Sequence, residues 1–189
     1  MTLLRSTTDP RWAPLALSQL GRTLCDHAHC EKKACATALK LIADYPDRPA
    51  LVRALSKLAQ EEQQHFLSVM TELSRRAIPL SPDRGDGYAR ALVKLVRPGK
   101  ERLLDRLLVS AIIEARSAER LALLAVLLSP GSLKDLYTKL ARSEEGHERL
   151  FLELASAHAG EEGMGSRLEE LALAEAAIVA GLPIAPRIH

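Results

Sequence analysis

Apolar residues recur at alternating steps of three and four along most of the chain, the pattern of helices that bury one face. Segments rich in proline and glycine interrupt this pattern at residues 44–49, 78–87, 97–99, 129–131 and 159–165. Together they predict helices over about 17–44, 48–76, 100–128, 132–158 and 166–180, with a short helix near 88–95. Four long helices, paired by tight turns and linked by one longer connection, are typical of a four-helix bundle with a crossover.

The composition agrees with this all-α prediction. Of the 189 residues 47% are hydrophobic and only 3% aromatic, which suits helices better than strands. We expect one domain over residues 1–189, with the bundle core at about 17–158 and an extra C-terminal helix at about 166–180. No apolar stretch reaches the roughly 20 residues needed to cross a bilayer, and the N-terminus lacks a signal-peptide core, so we expect a cytoplasmic protein without membrane contact.

The buried face of each long helix is interrupted by acidic residues and histidines. In the second helix the apolar series Leu51, Leu55, Leu58 continues through Glu62 and His65 before Val69. The other three helices show the same interruption, so that the polar residues at apolar positions are Glu31, Glu62, His65, Glu114, Glu144 and His147. An unpaired, ionised carboxylate at such a position would cost several kcal/mol.

The spacing places these residues at one level of the bundle. Glu31 and Glu62 are equidistant from the turn "YPDRP", and Glu114 and Glu144 are equidistant from "SPG". Each glutamate lies about 15 residues, or roughly 23 Å, from its own turn. The first two are 31 residues apart and the second two 30, which is the spacing of a duplicated helix pair.

Cations can reconcile four carboxylates with a dry core. A site rich in oxygen ligands with two imidazoles suits iron, or less well manganese, whereas structural zinc sites use thiolates or fewer carboxylates. We therefore predict a site for iron or manganese, with a buried structural network as the alternative; His27 and Glu119 are possible supporting or substitute groups. The cysteines at 25, 30 and 35 point in different directions around a helix and cannot share one metal, so we interpret them as small buried residues.

The ligand pattern resembles the ferritin-like di-iron carboxylate proteins, in which two helices each supply a Glu and two supply Glu-x-x-His. That class includes storage proteins, peroxidases and hydroxylases, so the pattern indicates the metal better than the reaction. From about Trp12 to His189 the chain resembles the tRNA hydroxylases that act on 2-methylthio-N6-isopentenyladenosine, most specifically in "IIEARSAERL" and "SEEGHERLF". The resemblance is loose over residues 78–98.

The resemblance implies hydroxylation of the isopentenyl group beside the tRNA anticodon, with O2 as co-substrate and electrons from an external donor, an unknown redox partner protein. Small residues one turn from the glutamates could leave room for O2 and a prenyl tail, or could serve helix packing; they are Ala34, Ala38, Ser110 and Ser117. The alternative is a ferritin-like oxidase or peroxidase that acts on iron, peroxide or a small molecule. A non-catalytic iron-storage or nucleic-acid-binding bundle is a third interpretation.

Charge is unevenly distributed, although the net charge is only +2. Residues 75–106 contain nine Lys and Arg against four Asp and Glu, whereas 144–175 contain nine acidic and two basic residues. We predict that basic residues of the connection between hairpins, Arg90, Lys94 and Arg97 in particular, bind tRNA phosphates. The alternative interpretation of the same stretch is a solvated surface.

Overall fold

The computed structural model describes residues 3–189, apart from the side chains of residues 161 and 162. Within that part of the chain all regular structure is helical: α1 (Trp12–Ser18), α2 (Leu20–Asp44), α3 (Pro49–Arg75), α4 (Gly87–Val93), α5 (Arg102–Leu127) and α6 (Ser132–Gly181), with a 3₁₀ helix at Gly99–Glu101. α2 packs against α3 and α5 against α6, which confirms the prediction of two helix hairpins joined by a crossover. None of the helices in the described residues combines the length and apolar composition needed to span a bilayer.

Two predicted boundaries are wrong. The first long helix begins at Leu20 rather than about 17, because the backbone leaves the helical region at Gln19 and a separate helix, α1, precedes it. The predicted break over 159–165 is confined to Gly160, whose φ of +72° favours glycine. The helix resumes at once, not at 166, and burial of Leu171 and Ala172 offsets the cost of two further glycines, about 1 kcal/mol each.

The apolar core is divided into two clusters. One contains Leu55, Leu107 and Phe151, and the other contains Val69 and Tyr137. Along α3 the division falls at Glu62 and His65, as the interrupted pattern predicts. The polar side chains therefore form a layer across the bundle, with close-packed apolar residues on both sides.

Buried ion pairs hold the second half of α6 against the bundle. Arg116 of α5 and Glu175 of α6 are both fully buried, and Arg116 Nε lies 2.9 Å from Glu175 Oε1. Asp105 of α5, also fully buried, lies 2.8 Å from Arg167 Nη2. The helical pattern alone did not indicate these pairs, and they fix where α6 lies beyond its break.

Candidate metal centre

The four long helices bring all six predicted ligands to the buried polar layer. Their exposed fractions run from 1% for Glu62 to 6% for Glu114 and His65, so no member is on the surface. The helices persist through these positions because apolar residues above and below supply the packing, while the ligands occupy single positions of the same face.

The centre of the layer is formed by both Glu-x-x-His pairs. Glu62, His65, Glu144 and His147 each offer a ligand atom within 4.8 Å of the others. His147 Nδ1 lies 2.9 Å from Glu62 Oε1 and 2.9 Å from Glu144 Oε2, and His65 Nδ1 lies 3.3 Å from Glu144 Oε1. The carboxylates of Glu62 and Glu144 thus lie between two imidazoles, one on each side.

Glu31 and Glu114 extend the layer outward. Glu31 Oε2 lies 3.4 Å from His65 Nδ1, and its other oxygen lies 2.6 Å from Nε2 of His27. Glu114 lines the same cavity as Glu62 and Glu144. His27 therefore contacts a predicted ligand, whereas the carboxylate of Glu119 is bound by Thr8 and Arg116 instead.

Three buried ligand atoms have ion-pair neighbours but no well-directed hydrogen bond. They are Glu62 Oε1, His65 Nδ1 and Glu144 Oε1, and all three point into the centre of the layer. Contacts with poor direction leave uncompensated part of the desolvation cost of a buried polar atom, which is about 1–3 kcal/mol when no partner is present. A divalent cation bound among these atoms would satisfy them, and the oxygen and imidazole donors fit iron.

The far ring nitrogens are held by Ser143 and Glu61, two residues that were not among the predicted site residues. His65 Nε2 lies 3.1 Å from Ser143 Oγ, and His147 Nε2 lies 3.1 Å from Glu61 Oε2. Each partner directly precedes the glutamate of the opposite Glu-x-x-His pair, a symmetry that could have been read from the duplicated hairpin. Such partners fix the ring orientation of metal-binding histidines and leave Nδ1 directed at the ligand site.

The pKa values reflect this crowding. Burial lowers the pKa of both histidines, but hydrogen bonds to the carboxylates outweigh it and raise the pKa of His65 to about 12 and of His147 to about 11. Burial and the negative charge of Glu144 raise the pKa of Glu62 to about 7, and burial with the same neighbour raises that of Glu114 well above its ordinary value. A cation that replaced these protons would relieve both effects.

A cavity of about 130 Å³ opens beside the layer. Its polar end is formed by the carboxylates of Glu31, Glu62, Glu114 and Glu144, and the other lining atoms are mostly apolar. Three of the small residues singled out in the sequence, Ala34, Ser110 and Ser117, line it, whereas Ala38 packs into the apolar core instead. A cavity of roughly 150 Å³ can hold benzene, so this one suits a group of about five carbons.

The predicted RNA-binding residues lie beside this cavity, with one difference among them. Arg90 of α4 and Lys94, which directly follows that helix, are exposed, and Ala89 and Val93 of α4 line the cavity. Arg90 Nε donates to the backbone carbonyl of Asp86, a contact that does not neutralise its charge. Arg97 is bound instead to Asp105, with Nη2 2.6 Å from Oδ1. Of the three, Arg90 and Lys94 therefore have side chains available to a ligand on this side.

A ferritin-like four-helix bundle with a buried layer of four carboxylates and two imidazoles defines the class of di-iron carboxylate proteins. Within that class the chain belongs to the family described as tRNA-(MS[2]IO[6]A)-hydroxylase (MiaE), whose model matches residues 1–189. Among known proteins it is 38% identical to a tRNA 2-(methylsulfanyl)-N(6)-isopentenyladenosine(37) hydroxylase of Pseudomonas putida over 173 residues, 91% of this chain and 84% of that protein. A protein of the same description from Salmonella typhimurium is 31% identical, with 78% of this chain and 69% of the relative covered.

A solved structure supports the fold. The chain is similar to a Synechococcus protein described as having aldehyde deformylating oxygenase activity, with a TM-score of 0.95 and 38% sequence identity. The match covers 100% of this chain and 96% of the other. The prediction of a ferritin-like bundle is thereby confirmed, as is the resemblance to the tRNA hydroxylases.

Proposed function

We propose that Glu31, Glu62, His65, Glu114, Glu144 and His147 bind two iron ions, at which O2 is used to hydroxylate the isopentenyl group of 2-methylthio-N6-isopentenyladenosine beside the tRNA anticodon. The enzyme class and its tRNA substrate follow from family membership along the whole chain. The observation that carries the ligand assignment is the convergence of buried carboxylate and imidazole atoms within 4.8 Å of one another beside a largely apolar cavity.

Each part of the site has a task in this reaction. Bound iron would supply the O2-activating chemistry. The four carboxylates balance the charge of two cations, Ser143 and Glu61 orient the imidazoles, and the apolar lining keeps water from the oxidant. The two electrons that accompany O2 come from an external donor, a redox partner protein.

The position of α4 relates tRNA binding to the cavity. Exposed Arg90 of this helix and Lys94 directly after it would bind phosphates, while Ala89 and Val93 of the helix form part of the cavity lining. A base in a single-stranded loop unstacks at little energetic cost, so the prenyl group could enter the cavity while the RNA backbone stays bound beside α4.

The test is nucleoside analysis of tRNA. Cells that lack this chain should accumulate the isopentenyl nucleoside without its hydroxyl group, and the wild-type chain should restore the hydroxylated form. A control chain with Glu114→Ala should not restore it. If the hydroxylated nucleoside persisted without the chain, the activity described for the Synechococcus protein would favour the second candidate, an oxygenase acting on a small molecule such as an aldehyde.

Charge reversal on α4 should weaken tRNA binding. We expect Arg90→Glu with Lys94→Glu to reduce tRNA affinity at least about tenfold at low salt, because the variant loses phosphate contacts. Each lost contact should also lower the slope of log affinity against log salt concentration by about one unit. Binding is measured by filter retention or fluorescence anisotropy over a salt series. Arg97 is left in place, since its reversal would also remove one of the two arginines that bind the buried Asp105 and would put a negative charge beside it.

The matched control is Arg53→Glu with Lys57→Glu. These two residues are exposed, basic and one helical turn apart on α3, like the pair on α4. This variant has the same net charge and should bind tRNA nearly as the wild type does. Equal losses in both double variants would mean that binding responds to overall charge and that α4 is only a solvated surface.

A further inference from the structure

A second polar group lines the cavity opposite the apolar residues. His189 Nε2 lies 2.6 Å from Ser117 Oγ, and His189 Nδ1 lies 3.2 Å from Asp86 Oδ2. Ser117 is one helical turn beyond Glu114, and all four of these side chains line the cavity. Asp86, His189 and Ser117 thus form a continuous series of hydrogen-bonding groups that ends near the predicted metal ligands.

The segment that carries His189 is held in place through its backbone. Trp12 Nε1 donates to the carbonyl of Arg187 at 2.9 Å, and the amide of Ile188 donates to Asp26 Oδ2 at 2.8 Å. Ile188 itself is buried among the residues of the second apolar cluster. The position of the imidazole is therefore fixed by contacts that do not depend on its own side chain.

Charged and titratable groups surround the imidazole on every side. Those nearby are Asp26, Cys30 and Lys33 of α2, Asp86 before α4, Tyr88 of α4, and Arg120 of α5. Burial raises the pKa of Asp86, but the hydrogen bond from His189 and the charge of nearby cations outweigh it, so this pKa lies below its ordinary value. Asp86 thus stays ionised and can stabilise a protonated imidazole.

We propose that Asp86, His189 and Ser117 form a proton path into the cavity, in which His189 is the acid–base residue. This inference rests on the proposed hydroxylation. Insertion of one oxygen atom into a C–H bond consumes O2, two electrons and two protons, and the second oxygen atom leaves as water. The electrons come from the external donor, so only the protons remain to be supplied.

His189, Ser117 and Asp86 each have one role in this proton transfer. The imidazolium donates its Nε2 proton to Ser117 Oγ while the serine hydroxyl releases its own proton into the cavity. The neutral imidazole keeps its Nδ1 proton, which remains hydrogen-bonded to Asp86, and Nε2 regains a proton from water that enters the cavity between turnovers. Ser117 is the member of the path that faces the reacting groups, and Asp86 positions the ring and stabilises its charge.

The first test needs no bound metal. In ¹⁵N NMR of histidine-labelled protein without iron, Asp86→Asn should shift mainly the Nδ1 resonance of His189, and Ser117→Ala mainly Nε2. The control is Ser110→Ala, which removes a hydroxyl from the same helix and cavity but has no contact with His189. If neither substitution shifted the ring resonances of His189, the proposed path would be wrong.

The second test uses the iron-loaded enzyme with tRNA. His189→Ala should slow hydroxylation at least about 100-fold, the lower range for general acid–base catalysis, with iron content and tRNA affinity retained. Added imidazole should restore the rate, and substituted imidazoles should do so in the order of their basicity. His189→Gln fills the site and can donate a hydrogen bond but cannot release a proton, so it should be as stable as wild type and yet remain inactive.

Two outcomes would contradict the proposal. Full activity of the glutamine variant, or inactivity that no imidazole relieves, would leave His189 a structural residue. Cys30, Asp86 and His189 also offer three donor atoms within 4.8 Å, so an additional zinc ion bound by wild type but not by Cys30→Ser would instead identify a metal site. If wild type failed to hydroxylate tRNA, the proposed function would be wrong, and the NMR shifts together with O2 consumption in a single turnover would still decide this path.

Discussion

Replacing Glu114 by alanine should abolish hydroxylation while the bundle stays folded. Replacing a residue that only orients a metal ligand typically costs roughly 10- to 100-fold in activity. Glu114 is itself a predicted ligand, so its replacement should lower activity by more than that. Glutamine at the same position should also be inactive, because a neutral amide balances no cation charge. The measurements are iron per chain, nucleoside turnover and thermal unfolding, each on the same preparation.

A second, independent test of the role of Glu114 uses the iron-free protein. Burial and repulsion by Glu144 and Glu62 raise the pKa of Glu114 above its ordinary value of 4.5. As pH rises above about 4.5, this carboxyl therefore destabilises the folded state more and more, compared with a neutral side chain at the same position. Glu114→Gln without iron should therefore unfold at a higher temperature than wild type at pH 7, and the difference should shrink near pH 4. A destabilised glutamine variant at pH 7 would mean that Glu114 has a structural role.

The matched control for this experiment is Glu119→Ala. Glu119 lies on the same helix, but its carboxylate is bound by Thr8 and Arg116. This variant should keep its iron and its turnover. If it were inactive while Glu114→Ala turned over normally, the ligand from α5 would have been misassigned.

Removing Arg116 should destabilise the fold more than any other single charge substitution considered. Arg116→Ala would leave Glu175 buried without its partner, since the guanidinium donates to both oxygens of that carboxylate at 2.9 Å and 3.0 Å. Stranding one member of a buried ion pair typically costs about 3–5 kcal/mol. Denaturant unfolding of the iron-free protein measures the loss.

A double variant separates stranded charge from lost packing. Arg116→Met with Glu175→Leu removes both charges and keeps apolar volume, so it should recover most of the stability lost by Arg116→Ala. The control Lys40→Ala removes an exposed ion pair with Asp44 and should leave the unfolding midpoint unchanged. If Arg116→Ala behaved like this control, the pair of Arg116 with Glu175 would contribute nothing to holding α6 beyond Gly160.

The six residues of the candidate metal site were more predictable from sequence than most of their surroundings. Glu62 and His65 were visible because they interrupt an otherwise apolar helical face, and Glu31 matched them in distance from the turn. Hydrogen-bond partners such as Glu61 and Ser143 carry no such signal, because both occupy polar positions on partly exposed faces. His189 was also missed, since it follows an irregular segment in which no periodicity relates it to α5.

The helices and the level of the metal layer follow from local periodicity, because a residue's place on a helical face depends only on its number within that helix, and tight turns make paired helices run side by side. The ion pair of Arg116 with Glu175 and the hydrogen bond of His189 with Ser117 join residues 59 and 72 positions apart. No repeating pattern spans such separations, so these contacts depended on how α6 turns at Gly160 and where the chain after it packs. The burial that makes them strong is likewise a property of the assembled bundle and not of any one helix.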